Sequence, residues 1–142
     1  LNEFSNGSAG DTQFFHEYLK ADFIGDDAGT YAVRGAAGGI FDALSFSFDD
    51  GMHGSYNADY PDVIAPIGSS SECLYYGSES DVAGVVFTGS FAVGAPQGQL
   101  VYFGFPFETI NDSAVRAEAM GRILNFFDYS LTENTANSWW AY

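Results

Sequence analysis

The strongest hydrophobic pattern in the chain is QLVYFGF at residues 99–105. Leu100 and Tyr102 alternate with Val101 and Phe103, so both faces of an extended segment are apolar here. Strands with two apolar faces are covered on both sides by other parts of the fold. The pattern predicts a central strand near 99–105.

Two other segments have the spacing of amphipathic helices. A helix is predicted over residues 12–21, capped by Asp11, because its apolar residues form one stripe: Phe14, Phe15, Tyr18 and Leu19. A second is predicted over 113–128, capped by Asp112 or Ser113, with an apolar stripe at Met120, Ile123, Leu124 and Phe127. A strand followed at once by a helix is half of a βαβ unit.

Between these elements the pattern changes to strict alternation and then to polar residues. In LSFSF, residues 44–48, the apolar residues share one face and Ser45 and Ser47 share the other, which is typical of a half-buried strand. Residues 49–71 are predicted to form a long polar loop, and loops of this length are usually functional or held in place by another group. We therefore predict one α/β domain over 1–142, with a mixed sheet, a central strand near 99–105, helices near 12–21 and 113–128, and an antiparallel excursion over 31–93.

The charge of the chain limits its partners. Nineteen acidic residues and four basic residues give a formal net charge of −15. Such a surface repels nucleic acid and anionic lipid, and no stretch approaches the roughly 20 apolar residues of a membrane span. Dissolved salt or calcium screens this self-repulsion, so we expect an extracellular or cell-surface location.

The polar loop contains oxygen ligands that suit calcium: Asp49, Asp50, Asn57, Asp59 and Asp62. Calcium takes six to eight oxygens, and the spacing is not that of an EF-hand, so a solvated acidic loop is the alternative. Tyr56 and Tyr60 in the same loop are candidate ligand-binding residues whose rings could stack on sugars; packing is the alternative.

Candidate catalytic groups are few. Asp50 and Glu108 are candidates for the carboxylate pair of a glycosidase, although nineteen carboxylates make some pair expected by chance. Glu108 follows the predicted strand and precedes a helix, where the helix dipole alone favours an acid, so a structural role is preferred. Cys73 with His16 or His53 is a candidate nucleophile pair, and a small buried cysteine is the favoured alternative.

The sequence also resembles a known module. LVYFGFPFETI at 100–110, followed by RILNFF at 122–127, resembles the closing strand and helix of class I glutamine-amidotransferase-like domains in secreted bacterial proteins. FFHEYLKADFIGDDAGTYAVRG at 14–35 and LSFSFDDGMHGSYNADYPDVI at 44–64 are similar to that module in xanthan-lyase and golvesin-type proteins. Related tails occur beside immune-inhibitor-type metallopeptidases.

The resemblance implies a fragment or a truncated module rather than an active amidotransferase. In the parent fold two or more parallel strands precede this region, so the sheet would have an open edge that needs a partner. Cys73 lacks the strand-to-helix turn of the family's nucleophile, so that role is not carried over. We expect a non-catalytic module of a secreted or cell-surface protein, serving assembly or polysaccharide contact; the alternative is an enzyme domain acting on an acidic polysaccharide or on peptides.

Self-association is the last expectation. An open sheet edge recruits another strand, and the terminal residues Trp139, Trp140 and Tyr142 are of the types that dominate interface energies. We predict a homo-oligomer, or contact with another domain of the parent protein, in which residues 1–10 or 131–142 cross to a neighbour. A monomer whose ends fold back over its own sheet is the alternative.

Overall fold

The computed structural model describes residues 9–128, apart from residues 78, 79 and 93. This part of the chain contains helix α1 (Ala9–Glu17), helix α2 (Ser113–Asp128) and a short 3-10 helix (Phe107–Thr109). Its seven strands are β1 (Ala21–Gly25), β2 (Ala32–Gly35), β3 (Ser45–Ser47), β4 (Val63–Pro66), β5 (Ser71–Tyr76), β6 (Val82–Ser90) and β7 (Gln97–Phe103).

The seven strands form one sheet in which every described pairing is antiparallel. The strand order is β1-β4-β6-β5-β2-β3, and β7 pairs with β6. The predicted combination of helices and strands is confirmed, and so is an antiparallel arrangement over 31–93. The parallel component of the predicted mixed sheet is not found among the described strands, because β7 returns from β6 as a hairpin rather than through a helical crossover.

Both faces of β7 are covered, as its alternation predicts. On one face Phe103 and Val101 pack against a core that includes Ala119 and Ile123 of α2. On the other face Tyr102 meets Phe15 of α1 edge to face, with ring centroids 6.1 Å apart. The two helices therefore lie on opposite faces of this part of the sheet.

The central position predicted for β7 is not what the described strands show. Among them β7 pairs with β6 alone, so its second edge has no described partner. Apolar residues at successive positions indicate that both faces of a strand are covered. They do not indicate how many strands pair with its two edges.

The helix predictions differ in accuracy. α2 occupies 113–128 as predicted, and the Asp112 Oδ1 atom accepts hydrogen bonds from the backbone N–H groups of Ala114 (2.8 Å) and Val115 (3.3 Å). α1 begins at Ala9 and ends at Glu17 rather than spanning 12–21, so Asp11 lies within the helix instead of capping it. The chain leaves the helical conformation before Lys20, whose φ is +55°, and β1 follows at once.

No helix in the described part of the chain is long and apolar enough to cross a membrane. Trp139, Trp140 and Tyr142, the predicted interface residues, lie outside the described residues, as does most of the predicted N-terminal crossing segment.

Candidate functional site

The polar loop that follows β3 is tied to the segment between β7 and α2. Phe48 and Ile110 form an isolated antiparallel bridge, and the Asp49 N–H donates to the Thr109 carbonyl at 2.8 Å. The Asp49 carbonyl in turn accepts from the Ala58 N–H at 2.9 Å. These bonds hold the two ends of the loop close together beside the carboxyl end of β7.

The Asp49 side chain organises the interior of the loop. It is fully buried, and its Oδ1 atom accepts from the N–H groups of Gly51 (2.7 Å) and His53 (3.0 Å). Its Oδ2 atom accepts from the Ser55 N–H at 2.7 Å. One carboxylate therefore satisfies three backbone donors in a segment that has no regular secondary structure.

These three backbone N–H groups stabilise the ionised form of the Asp49 carboxyl group. Burial alone would raise the pKa of Asp49, but the N–H groups of Ser55, His53 and Gly51 more than offset it and hold the pKa below its ordinary value. Both oxygens of an ionised Asp49 are thus engaged by the backbone. The predicted calcium-ligand role of Asp49 has to compete with these bonds.

Glu108 lies in the 3-10 helix and faces the same loop. Its Oε1 atom accepts a hydrogen bond of 2.8 Å from the Tyr56 hydroxyl, and its side chain is exposed. Its own backbone N–H, and then the Tyr56 hydroxyl, hold the pKa of Glu108 below its ordinary value. A glycosidase acid needs a raised pKa, so Glu108 does not fit that role.

A cavity of about 330 Å³ lies between the loop and the first turns of α2. Polar side chains from both segments line it: His53, Ser55, Glu108, Asn111 and Arg116. The Arg116 Nη1 atom donates to the Ile110 carbonyl at 2.6 Å and to the Glu108 carbonyl at 3.3 Å, which fixes the guanidinium at the wall of the cavity.

A larger depression of about 820 Å³ follows β2 and β3, but it is wide open to solvent. Its one charged residue, Arg34, lies over the Tyr75 ring at 4.7 Å and donates to the Gly77 carbonyl at 3.1 Å. The smaller cavity has the denser set of convergent polar groups and is the better candidate site.

The other predicted calcium ligands are only partly brought together. Asp50 and Asn57 form an antiparallel bridge, and the Tyr31 hydroxyl donates to Asn57 Oδ1 at 2.8 Å and reaches Asp59 Oδ1 at 3.5 Å. The Asp50 Oδ1 atom accepts from the Met52 N–H at 3.1 Å.

Asp62 lies at a different place, where β4 begins. Its N–H donates to the Gly104 carbonyl at 2.8 Å, and burial raises the pKa of its carboxyl group. Within residues 9–128 as described, no group of three or more His, Cys, Asp or Glu side chains is arranged to hold a metal ion. Calcium binding stays a prediction.

Cys73 does not have the surroundings of a nucleophile. It is fully buried, and burial raises the pKa of its thiol. The His16 Nε2 atom lies 3.1 Å from Asp22 Oδ1, and the His53 Nε2 atom lies 3.8 Å from Asp50 Oδ1, so both imidazoles face carboxylates. The favoured alternative, a small buried cysteine, agrees with these contacts.

The loop presents its aromatic residues to solvent, since Tyr56 is 49% exposed and Tyr60 is 61% exposed. Asn111 and Arg116 are the site residues that the sequence did not single out. The sequence could have drawn attention to Arg116, because it is one of only four Lys and Arg residues and lies in the helix that follows β7.

Comparisons with known proteins add no relative: no family model matches the sequence, and neither the curated proteins nor the solved structures contain a match.

Proposed function

We propose that this chain is a non-catalytic binding module of a secreted or cell-surface bacterial protein. Its organised loop makes contact with polysaccharide, and the second edge of β7 serves assembly. The observation that carries the proposal is the Asp49 carboxylate, which is buried and accepts three backbone hydrogen bonds.

Acid–base catalysis needs a carboxyl group that reaches a substrate and exchanges a proton near the working pH. Asp49 is buried with both oxygens engaged, and the lowered pKa of Glu108 suits an ionised base or nucleophile but not the general acid that a carboxylate pair also needs. The alternative, an enzyme acting on acidic polysaccharides or peptides, therefore has weaker support from the carboxyl groups around the cavity.

Polysaccharide contact is supported by the aromatic residues that the loop presents. Tyr56 is positioned by its bond to Glu108, so binding costs it little conformational entropy. Tyrosine combines a flat apolar ring with a polar hydroxyl, which suits a ligand with both apolar and hydroxylated surfaces. Secretion rests on the resemblance of residues 14–35, 44–64 and 100–110 to modules of secreted bacterial proteins and on the charge of −15.

Assembly is supported by β7. Alternate residues of an antiparallel strand direct their N–H and C=O groups away from the paired neighbour, and β6 is the one described neighbour of β7. Such an edge pairs with a strand of another copy or of another domain of the parent protein.

Calcium at Asp50, Asn57 and Asp59 would bring the loop's carboxylates together and reduce repulsion between copies. Calorimetric titration of the chain with calcium chloride, with magnesium chloride as the comparison, tests this prediction.

The test of the main proposal is retention in gels that contain a panel of neutral and uronic-acid polysaccharides. We expect Tyr56→Ala to reduce retention on the polysaccharide that binds. Tyr18→Ala is the matched control, because Tyr18 is also 49% exposed but lies beside α1 and stacks on Phe14. Turnover of any polysaccharide or peptide that is abolished by Asp50→Ala or Glu108→Ala would overturn the non-catalytic assignment.

A further inference from the structure

The cavity beside the Asp49 loop combines fixed hydrogen-bond donors with fixed acceptors. Arg116 uses Nη1 on the carbonyls of Glu108 and Ile110, and its Nε and Nη2 atoms donate to no described residue. Glu108 accepts from the Tyr56 hydroxyl through Oε1 and from its own backbone N–H, and the lone pairs of a carboxylate can take further donors. A guanidinium and a carboxylate therefore line one small cavity, and each has hydrogen-bonding capacity left.

Asn111 adds a further polar group to the wall of the cavity. Its Nδ2 atom donates to the Phe48 carbonyl at 3.4 Å, whereas its Oδ1 atom is buried and has no hydrogen-bond partner among the described residues. A buried acceptor without a donor is unusual in native proteins, and one ordered water would satisfy it.

Neighbouring sugar hydroxyls match this set of groups. Each hydroxyl both donates and accepts, whereas a carboxylate only accepts and a guanidinium only donates. A planar guanidinium or carboxylate can form two parallel hydrogen bonds. It therefore holds two neighbouring hydroxyl groups better than a group that bonds at a single point does. We propose that this cavity binds one hexose unit of a neutral polysaccharide, with adjacent hydroxyl groups held between Glu108 and Arg116.

This inference rests on the proposed polysaccharide contact and names its site and ligand class. The cavity volume of about 330 Å³ accommodates one sugar ring, and His53 and Glu108 at its rim are exposed, so a polymer can continue into solvent on either side.

The charge of the molecule selects a neutral glycan. A uronate unit would gain one contact with Arg116 but would approach Asp49, Asp50 and Glu108 on a chain whose net charge is −15. A neutral hexose forms the same hydroxyl contacts without this repulsion.

The experiment is an NMR titration of the full chain with hexasaccharides of the gluco, galacto and manno series, and with a uronate hexasaccharide of the same length. We expect a neutral hexasaccharide to shift the amide signals of both wall segments, His53–Ser55 and Glu108–Asn111. Glu108→Gln keeps an acceptor for the Tyr56 hydroxyl but removes the charge, so we expect about tenfold weaker binding. Glu72→Gln, an exposed residue on β5, is the matched control and should bind as the unmodified chain does.

Each other outcome decides a different point. Neutral sugar that shifts amides elsewhere but leaves both wall segments unchanged would overturn the cavity site while polysaccharide contact stands. Uronate that binds the cavity more tightly than every neutral hexasaccharide at 0.15 M salt would overturn the choice of ligand. Absence of binding by any hexasaccharide, together with no retention by the polysaccharide panel, would overturn both proposals.

Discussion

At the scale of single residues, Asp49 shows how one buried carboxylate replaces secondary structure. Its three N–H bonds are charge-assisted, and bonds of this kind are roughly twice as strong as neutral ones. These bonds hold the shape of the loop, whose backbone has a φ of +94° at Gly51 and +96° at Gly54. The carboxylate thereby holds the backbone from Gly51 to Ser55, directly before Tyr56.

The loop should consequently be sensitive to acid. Because the pKa of Asp49 is lowered in the folded state, its contribution to stability is present above the unfolded value of about 3.9 and is lost as pH falls through the lower folded value. We expect the Gly51, His53 and Ser55 amide signals to lose their dispersion together below about pH 4. An NMR titration from pH 7 to pH 2 measures this.

Asp49→Asn is the companion variant. It places an amide N–H against one of the backbone donors, so the loop signals should already be altered at pH 7. Asp50→Asn is the control, since Asp50 is exposed and accepts one backbone bond. Equal effects of the two substitutions would contradict the role given to Asp49.

Gly104 is a position where no side chain fits. A Cβ atom there would lie 2.1 Å from the Asp62 carbonyl oxygen and 3.0 Å from the Tyr76 hydroxyl. We expect Gly104→Ala to lower the free energy of unfolding by about 3 kcal/mol or more, because the closest atom belongs to the backbone. Urea denaturation measures the difference.

Gly121→Ala is its matched control. Gly121 lies inside α2, and a Cβ atom there meets nothing within 4 Å, so the same substitution should raise the free energy of unfolding by about 0.5–1 kcal/mol. Similar effects at the two positions would contradict the packing around Gly104.

At the scale of elements, the sequence predicted those features that depend on local pattern. The stripe from Met120 to Phe127 predicted α2 correctly, because helical periodicity and the Asp112 cap are both local. The antiparallel arrangement over 31–93 was predicted, but the antiparallel return of β7 and its pairing with β6 alone among the described strands were not, because strand neighbours depend on contacts between distant segments.

The packing of α1 provides an element-scale test. Phe15 is fully buried against Tyr102, whereas the adjacent Phe14 is 49% exposed. We expect Phe15→Ala to cost about 3–5 kcal/mol of unfolding free energy, and Phe14→Ala to cost less than about 1 kcal/mol. Thermal or urea denaturation of both variants measures this. If Phe14→Ala is as costly as Phe15→Ala, the orientation of α1 is wrong.

At the scale of the whole molecule, the candidate site joins segments that are far apart in sequence. The bridge between Phe48 and Ile110 brings the 49–58 loop beside Glu108 and Arg116. The sequence indicated Glu108 and the aromatic loop separately, from residue type and position. The sequence did not show that Glu108 and the loop line one cavity, because their proximity depends on how the strands pair in the folded sheet.

The charge and the sheet edge have opposite effects on self-association. A net charge of −15 repels identical copies, whereas the edge of β7 that has no partner among the described strands offers backbone groups and a segment, QGQLVYF, without charged side chains. Screening weakens the repulsion between exposed charges but hardly affects backbone hydrogen bonds, since the Debye length falls from about 10 Å at 0.1 M salt to about 3 Å at 1 M. Association should therefore strengthen with salt.

Light scattering at 0.1 M and 1 M sodium chloride tests this prediction, and we expect a larger mean mass at the higher concentration. Gln97→Lys places a charge at the exposed start of β7, a substitution that discourages edge pairing, and it should lower the mass. Gln13→Lys on α1 changes the net charge equally and is the control. Deleting residues 132–142 distinguishes an interface formed by this C-terminal tail from one formed by the edge of β7. If the mean mass falls with the deletion but not with Gln97→Lys, the tail forms the interface. A chain that is monomeric in 1 M salt would show that its own edge does not recruit a second copy.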